Sequence, residues 1–166
     1  MKEKKVLFIR HAKSSWVDPY LGDIERPLNE RGLRDAPRMG EALAHHLLGH
    51  RLYLIHSPAK RAKQTAQILA SKLNIEQQQM MEYEPLYFGN GHSYMDVLQT
   101  VDESIQACLM VGHNPTLEWI AGQFNPPFFA EIPTCAVLMV NCTVTEWKSM
   151  QFFHMTLHQM LTPKTL

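Results

Sequence analysis

Apolar runs and their spacing divide the chain into segments that alternate between strand and helix. Val6-Leu7-Phe8-Ile9 is an unbroken β-prone run, the pattern of a strand covered on both faces as in a parallel sheet. A polar loop over 12–28 follows. Asn29 is placed to cap a helix carrying Leu33, Met39, Leu43 and Leu47 and ending at Gly49, with Pro37 expected to kink it or delay its start. Leu52-Tyr53-Leu54-Ile55 predicts a second buried strand, after which Ser57-Pro58 supplies a cap and first turn for a helix through Ile68 and Leu73. A third strand is expected within 77–83, and Ser93 caps a short helix with Met95, Val97, Leu98 and Val101. Cys108-Leu109-Met110-Val111 is a further buried run. Asn114-Pro115 then opens a helix through Leu117, Trp119 and Ile120, and 136–140 and 150–157 read as an antiparallel pair joined near Glu146-Trp147.

Strands alternating with helices predict a three-layer α/β/α sandwich with a mostly parallel central sheet. At 166 residues, with no repeat, linker or low-complexity tract, one domain over 1–166 is expected. A hydrophobic fraction of 45% against 19% charged excludes a disordered chain. Lys and Arg number 16, as do Asp and Glu, so no global field favours nucleic acid or anionic lipid, and a charged ligand needs a local cluster. The three cysteines, Cys108, Cys135 and Cys142, contain no CxxC pair and read as buried small hydrophobes in a reducing compartment. The basic start, Lys2 to Lys5, precedes an apolar run that ends at Arg10, too short for a signal segment, and no run approaches a membrane span. A cytoplasmic protein is the expectation.

Candidate chemistry follows three of the buried runs: Arg10-His11 after the first, Ser57-Pro58-Ala59-Lys60-Arg61 after the second, and Gly112-His113-Asn114-Pro115 after the segment 108–111. In open parallel sheets ligands bind at the carboxyl ends of strands, so all three segments can converge on one crevice. Two guanidiniums and two imidazoles, with no carboxylate cluster to hold a metal, suit a phosphoryl group, whose oxygens match the arginine fork. A neutral imidazole can attack phosphorus and form a phosphohistidine intermediate, and neighbouring arginines keep it neutral. His11 is the expected nucleophile and His113 a second donor to the phosphoryl oxygens. Arg10 and His11 can share a site only if the strand ends there, because successive side chains on a strand point to opposite faces. Each motif alone is weak; the ordered combination is not.

The chain resembles the histidine phosphatase superfamily, the phosphoglycerate-mutase-like group. The likeness rests on Leu7-Phe8-Ile9-Arg10-His11-Ala12-Lys13-Ser14, Arg26-Pro27-Leu28-Asn29-Glu30-Arg31-Gly32, Ser57-Pro58-Ala59-Lys60-Arg61-Ala62 and Val111-Gly112-His113-Asn114-Pro115. Within the group it is most similar to the compact SixA-type phosphohistidine phosphatases, through the Arg-Pro-Leu segment and Ile132-Pro133-Thr134-Cys135. The resemblance implies a nucleophilic His11, a phosphate pocket of Arg10, Arg61 and His113, an accessory substrate-binding role for Arg26, and no metal or other cofactor. Larger members carry a catalytic glutamate after the third strand, where this chain reads Pro85-Leu86-Tyr87-Phe88. Tyr87, with an ordinary pKa near 10, is a poor general acid. Asp23 matches an aspartate of the compact branch and is the expected proton donor, with Asp18, Glu82 and Glu84 as alternatives.

A missing strong acid is tolerable when the leaving group is an imidazole and limiting when it is an alkoxide, which favours phosphohistidine as substrate. The segment 89–94 is too short for a large lid subdomain, so an open site could admit a histidine on a protein. The expected partner is a phosphorylated protein, such as a histidine-phosphorylated signalling domain, or a small phosphorylated substrate. The alternatives are a small-molecule phosphomonoesterase or mutase, and a phosphoprotein-binding module without turnover. The pairs His46/His50 and His154/His158, the ten methionines, and Lys60 and Lys63 read as solvated or core residues rather than sites. His56 either lines the pocket or packs beneath it.

Overall fold

The computed structural model describes residues 2–166. A six-stranded sheet runs in the order β3-β2-β4-β1-β5-β6, with β1 (Lys5–Arg10), β2 (Leu52–His56), β3 (Met80–Glu82), β4 (Ala107–Gly112), β5 (Val137–Cys142) and β6 (Met155–Leu161). The first four are mutually parallel; β5 pairs antiparallel with β1 and β6 antiparallel with β5. The expected three-layer α/β/α sandwich with a mostly parallel sheet is what the chain forms, and among the described residues no large lid is evident. Alternation along the central strands feeds two cores. Val6 and Phe8 of β1 join Cys108 and Met110 of β4 under one face, while Leu7 and Ile9 join Leu109 and Val111 under the other.

The helices are α1 (Glu30–His46), α2 (Lys60–Leu73), α3 (Pro85–Phe88), α4 (Gly91–Leu98) and α5 (Thr116–Ala121). Helix α1 begins as expected, with Asn29 Oδ1 accepting from Gly32 N at 2.9 Å. Pro37 lies inside it and does not delay its start. The carbonyl that loses a donor belongs to Leu33, which is half exposed rather than core, so water can serve it. Gly32 is needed for close approach, since a Cβ there would collide with the Lys13 carbonyl.

Several expected boundaries shift. Helix α2 starts at Lys60, after Ser57-Pro58. Helix α5 starts at Thr116 rather than at the Asn114-Pro115 pair, and α4 is capped by Asn90, with Ser93 closing the capping box from the third position. The third strand shrinks to Met80–Glu82 behind a 3-10 turn at Gln77–Gln79. Strand β6 begins at Met155, not Met150, because a 3-10 turn at Phe152–His154 intervenes; an earlier one at Trp147–Ser149 buries Trp147 completely. All three cysteines are free and buried, as expected; burial pushes the thiols of Cys135 and Cys142 up to about 12. No helix among the described residues is long and apolar enough to cross a membrane.

Candidate active site

The carboxyl ends of β1, β2 and β4 open into a cleft of about 540 Å³ whose lining includes Arg10, His11, Asp23, Arg26, Arg61 and His113. Backbone pairing sets its floor. His11 N donates to Gly112 O at 3.1 Å, tying the ends of β1 and β4, and β1 stops at Arg10, which lets Arg10 and His11 both face the cleft. Thr65, one helical turn beyond Arg61, accepts from Ala12 N at 3.0 Å and donates to Arg61 O at 2.7 Å. That hydroxyl couples the turn after β1 to the first turn of α2 and so places Arg61 beside His11.

The tautomer of His11 follows from its partners. Nδ1 lies 2.7 Å from the Ala12 carbonyl, which only accepts, so Nδ1 carries the proton. Nε2 lies 3.3 Å from Arg61 Nε, which only donates, so Nε2 presents its lone pair. Burial is the main reason the His11 pKa falls to about 3; the charges of His113, Arg61 and Arg10 add to it, and the Ala12 hydrogen bond opposes it. His113 falls to about 4, chiefly by burial and then by the charges of Arg61, Arg10 and Arg26. Its ring lies 5.2 Å from that of His11, and its Nε2 is 2.7 Å from Ser57 Oγ. Gly112, just before it, has no room for a side chain, since a Cβ would collide with the Tyr94 hydroxyl that accepts from His113 N.

Around the histidines the arginines are unequally engaged. Arg61 donates through Nη1 to Asp23 O at 2.6 Å and through Nη2 to Asp23 Oδ2 at 2.9 Å. Arg10 donates to Ile132 O at 2.9 Å, and its buried Nε has no partner among the described residues. Arg26 uses four of its five N–H groups on Asp23 Oδ1, Ser14 Oγ and Ser15 O, and its guanidinium stacks 3.6 Å from the Trp16 ring. One N–H is left for a ligand, so this side chain chiefly clips the loop over 14–26. Free donors are concentrated on Arg10 and Arg61.

Asp23 lies where these donors meet. Burial alone would raise its carboxyl, but hydrogen bonds from Tyr87, Arg61 and Arg26 outweigh that and hold it well below the usual carboxylate range. In this arrangement both its carboxylate oxygens accept, Oδ1 from Arg26 and Oδ2 from Tyr87 and Arg61. The sequence motifs contain Ser57 and, in Gln64-Thr65-Ala66, Thr65, but assign neither a role at the site. Their positions, beside a strand end and one turn after Arg61, were the available signals. Asp18, Glu82 and Glu84 are absent from the cleft lining, as is His56, whose Nδ1 bonds to Ser57 O. Among the described residues no group of three or more His, Cys, Asp or Glu side chains is placed to hold a metal ion.

The chain is thus an α/β protein with histidines and arginines gathered in one cleft at the carboxyl ends of its parallel strands, a donor set that suits an anion. Residues 6–107 match the histidine phosphatase superfamily (branch 1), and the chain belongs to it. An uncharacterised chloroplastic protein of Arabidopsis thaliana is 23% identical over 154 residues, 87% of this chain and 69% of that one. Among solved structures, a protein of Agrobacterium tumefaciens assigned as the phosphohistidine phosphatase SixA superposes with a TM-score of 0.77 at 23% identity, covering 98% of this chain and 100% of that one. The protein histidine phosphatase SixA in complex with tungstate superposes with a TM-score of 0.76 at 22% identity, covering 96% and 97%. At these identities the structural likeness speaks for the fold.

Proposed function

We propose that the protein is a phosphatase that works through a phosphohistidine on His11, with phosphohistidine in a protein as its substrate. The observation that carries this reading is the His11 tautomer, in which a neutral Nε2 lone pair faces the cleft between the arginines. In the first step Nε2 attacks phosphorus in line. The Nε2–P bond forms as the bond from phosphorus to the leaving nitrogen breaks, and that nitrogen keeps the electron pair and takes a proton from water. In the second step water attacks the phosphorus, its proton passes to solvent, and His11 is regenerated as inorganic phosphate leaves.

Arg10 and Arg61 hold the phosphoryl oxygens, and Arg61 exchanges its contact with His11 for one of them as substrate arrives. A Ser57 hydroxyl donating to His113 Nε2 leaves the proton of that ring on Nδ1, free for a third oxygen. Asp23 and Arg26 shape the pocket instead of touching the reacting atoms. Three guanidiniums less one carboxylate leave two positive charges, which match a phosphoryl dianion. Neither the ionised Asp23 nor Tyr87, whose pKa the Asp23 contact raises, protonates a poor leaving group. That favours an imidazole over an alkoxide, and the SixA relative named as a protein histidine phosphatase supports the same choice.

Intact mass after brief incubation with phosphoramidate tests the mechanism. An acid-labile phosphoryl adduct is expected on the wild type and absent from His11→Ala, and confirmed turnover without an adduct overturns the reading. A panel of phosphohistidine peptides against sugar phosphates tests the substrate class. Faster hydrolysis of the sugar phosphates moves the assignment to a small-molecule phosphatase, and binding without turnover moves it to a phosphoprotein-binding module.

A further inference from the structure

We propose that Tyr87 is a positioning residue for the reaction: its hydroxyl holds the Asp23 carboxylate, which in turn holds the Arg61 guanidinium against the attacking nitrogen of His11. This rests on His11 as the nucleophile and extends that reading to a residue outside the motifs. The chain of contacts is continuous. Tyr87 Oη donates to Asp23 Oδ2 at 2.7 Å, the same oxygen accepts from Arg61 Nη2 at 2.9 Å, and Arg61 Nε lies 3.3 Å from His11 Nε2.

Asp23 needs such a tie. It sits on the 3-10 turn Asp23–Glu25 within a long irregular loop, and its side chain is 49% exposed, so packing does not fix its rotamer. Two of the groups that hold it, Arg26 and Arg61, are charged and lie on its own side of the cleft or on α2. Tyr87 reaches it from a third element, the short helix α3, where the neighbouring Leu86 is buried in the core and gives the hydroxyl a fixed base. The Tyr87 ring also stands edge-on to His113, at 5.4 Å between centroids, so rotation of the phenol away from Asp23 is opposed. The hydroxyl proton is directed at a carboxylate instead of into the space where a leaving group departs. A positioning role fits that direction and direct proton donation does not.

A double-mutant cycle on phosphoramidate hydrolysis tests this, with Tyr87→Phe, Asp23→Ala and the pair, and with folding checked by circular dichroism. Tyr87→Phe is expected to lower kcat about tenfold, about 1.4 kcal/mol, with KM changed less than twofold. In the Asp23→Ala background the same substitution is expected to change kcat less than twofold. An unchanged kcat in Tyr87→Phe overturns the proposal. So does a tenfold loss that persists without Asp23, which would mean that Tyr87 acts directly on substrate or only on local structure. A second readout needs no turnover: in Tyr87→Phe the ¹⁵N resonance of His11 Nε2 is expected to move toward that of an imine nitrogen without a hydrogen bond. An unmoved resonance overturns the proposal even if wild type hydrolyses neither phosphoramidate nor phosphohistidine, the outcome that would by itself refute only the functional reading.

Discussion

Burying two neutral histidines makes the fold sensitive to mild acid, and the size of the effect follows from linkage. In the unfolded chain both imidazoles protonate near 6.5, whereas His11 and His113 in the folded protein hold out to about 3 and about 4. Between about pH 4.5 and 6.5 the unfolded state therefore binds up to two protons that the native state refuses. Stability rises with pH across this window and is lost as the pH falls through it, at about 1.4 kcal/mol per pH unit for each histidine once the unfolded chain is fully protonated. From pH 6.5 to 4.5 that amounts to about 2 kcal/mol for each histidine, after allowing for partial protonation near 6.5, and about 4 kcal/mol for the pair. Carboxylates held low, such as Asp23, begin to contribute only as the pH falls toward their unfolded value near 4, so they stay out of the window. The assay is urea unfolding followed by tryptophan fluorescence at pH 7, 5.5 and 4.5, for wild type and for His11→Gln. The variant should lose about 2 kcal/mol less than wild type over the interval. Equal losses would mean that His11 is not held neutral, and the lone pair on which the proposed mechanism depends would no longer be available by default.

Other parts of the site give sharper single outcomes. Arg61→Lys keeps the charge but abandons the fork that reaches His11 and two Asp23 oxygens, so kcat/KM for phosphoramidate should fall about a hundredfold. Thr65→Val leaves the buried Ala12 N–H without its acceptor and should lower stability by about 1–3 kcal/mol in denaturant titrations. Gly112→Ala drives a Cβ into the Tyr94 hydroxyl and should destabilise by about 1–3 kcal/mol while also displacing His113, seen as a loss of kcat beyond the loss of stability. Across phosphorylated substrates of rising leaving-group pKa, log kcat/KM should fall steeply; a flat dependence would reveal a proton donor that the ionised Asp23 does not supply.

What the chain pattern revealed and what it concealed divide along a physical line. Strands β1 and β4 were legible because both faces of each are covered, so Val6 to Ile9 and Cys108 to Val111 appear as unbroken apolar runs. The two helix starts placed too early, at Ser57-Pro58 and Asn114-Pro115, are both at the site. Their polar side chains are shared with the site: Ser57 Oγ accepts from Ala59 N at 3.2 Å but also meets His113, and Asn114 Nδ2 donates to Glu118 and to Ile132 O. Local capping logic fails where function recruits the cap. The convergence of Arg10, His11, Arg61 and His113 on one cleft followed from strand ends alone. The state of Asp23 did not, because only Arg26 is near it in sequence; Arg61 is 38 residues away and Tyr87 is 64.

The position of Asp23 also explains how a chain of zero formal charge sustains so cationic a pocket. Two guanidiniums brought together beside a pair of buried imidazoles repel one another, and the low effective dielectric of a partly buried site strengthens that repulsion. A half-exposed carboxylate placed between Arg26 and Arg61 offsets that repulsion without filling the cleft, because its oxygens are consumed by the side chains it holds. Holding them, however, keeps its carboxyl ionised, so in the proposed mechanism it has no proton to give a leaving group. In the proposed mechanism the arrangement thus trades leaving-group protonation for an oxyanion pocket assembled before substrate arrives. A reaction whose leaving group is already stable once it takes a proton from water loses little by that exchange. One that expels an alkoxide loses the step that limits it.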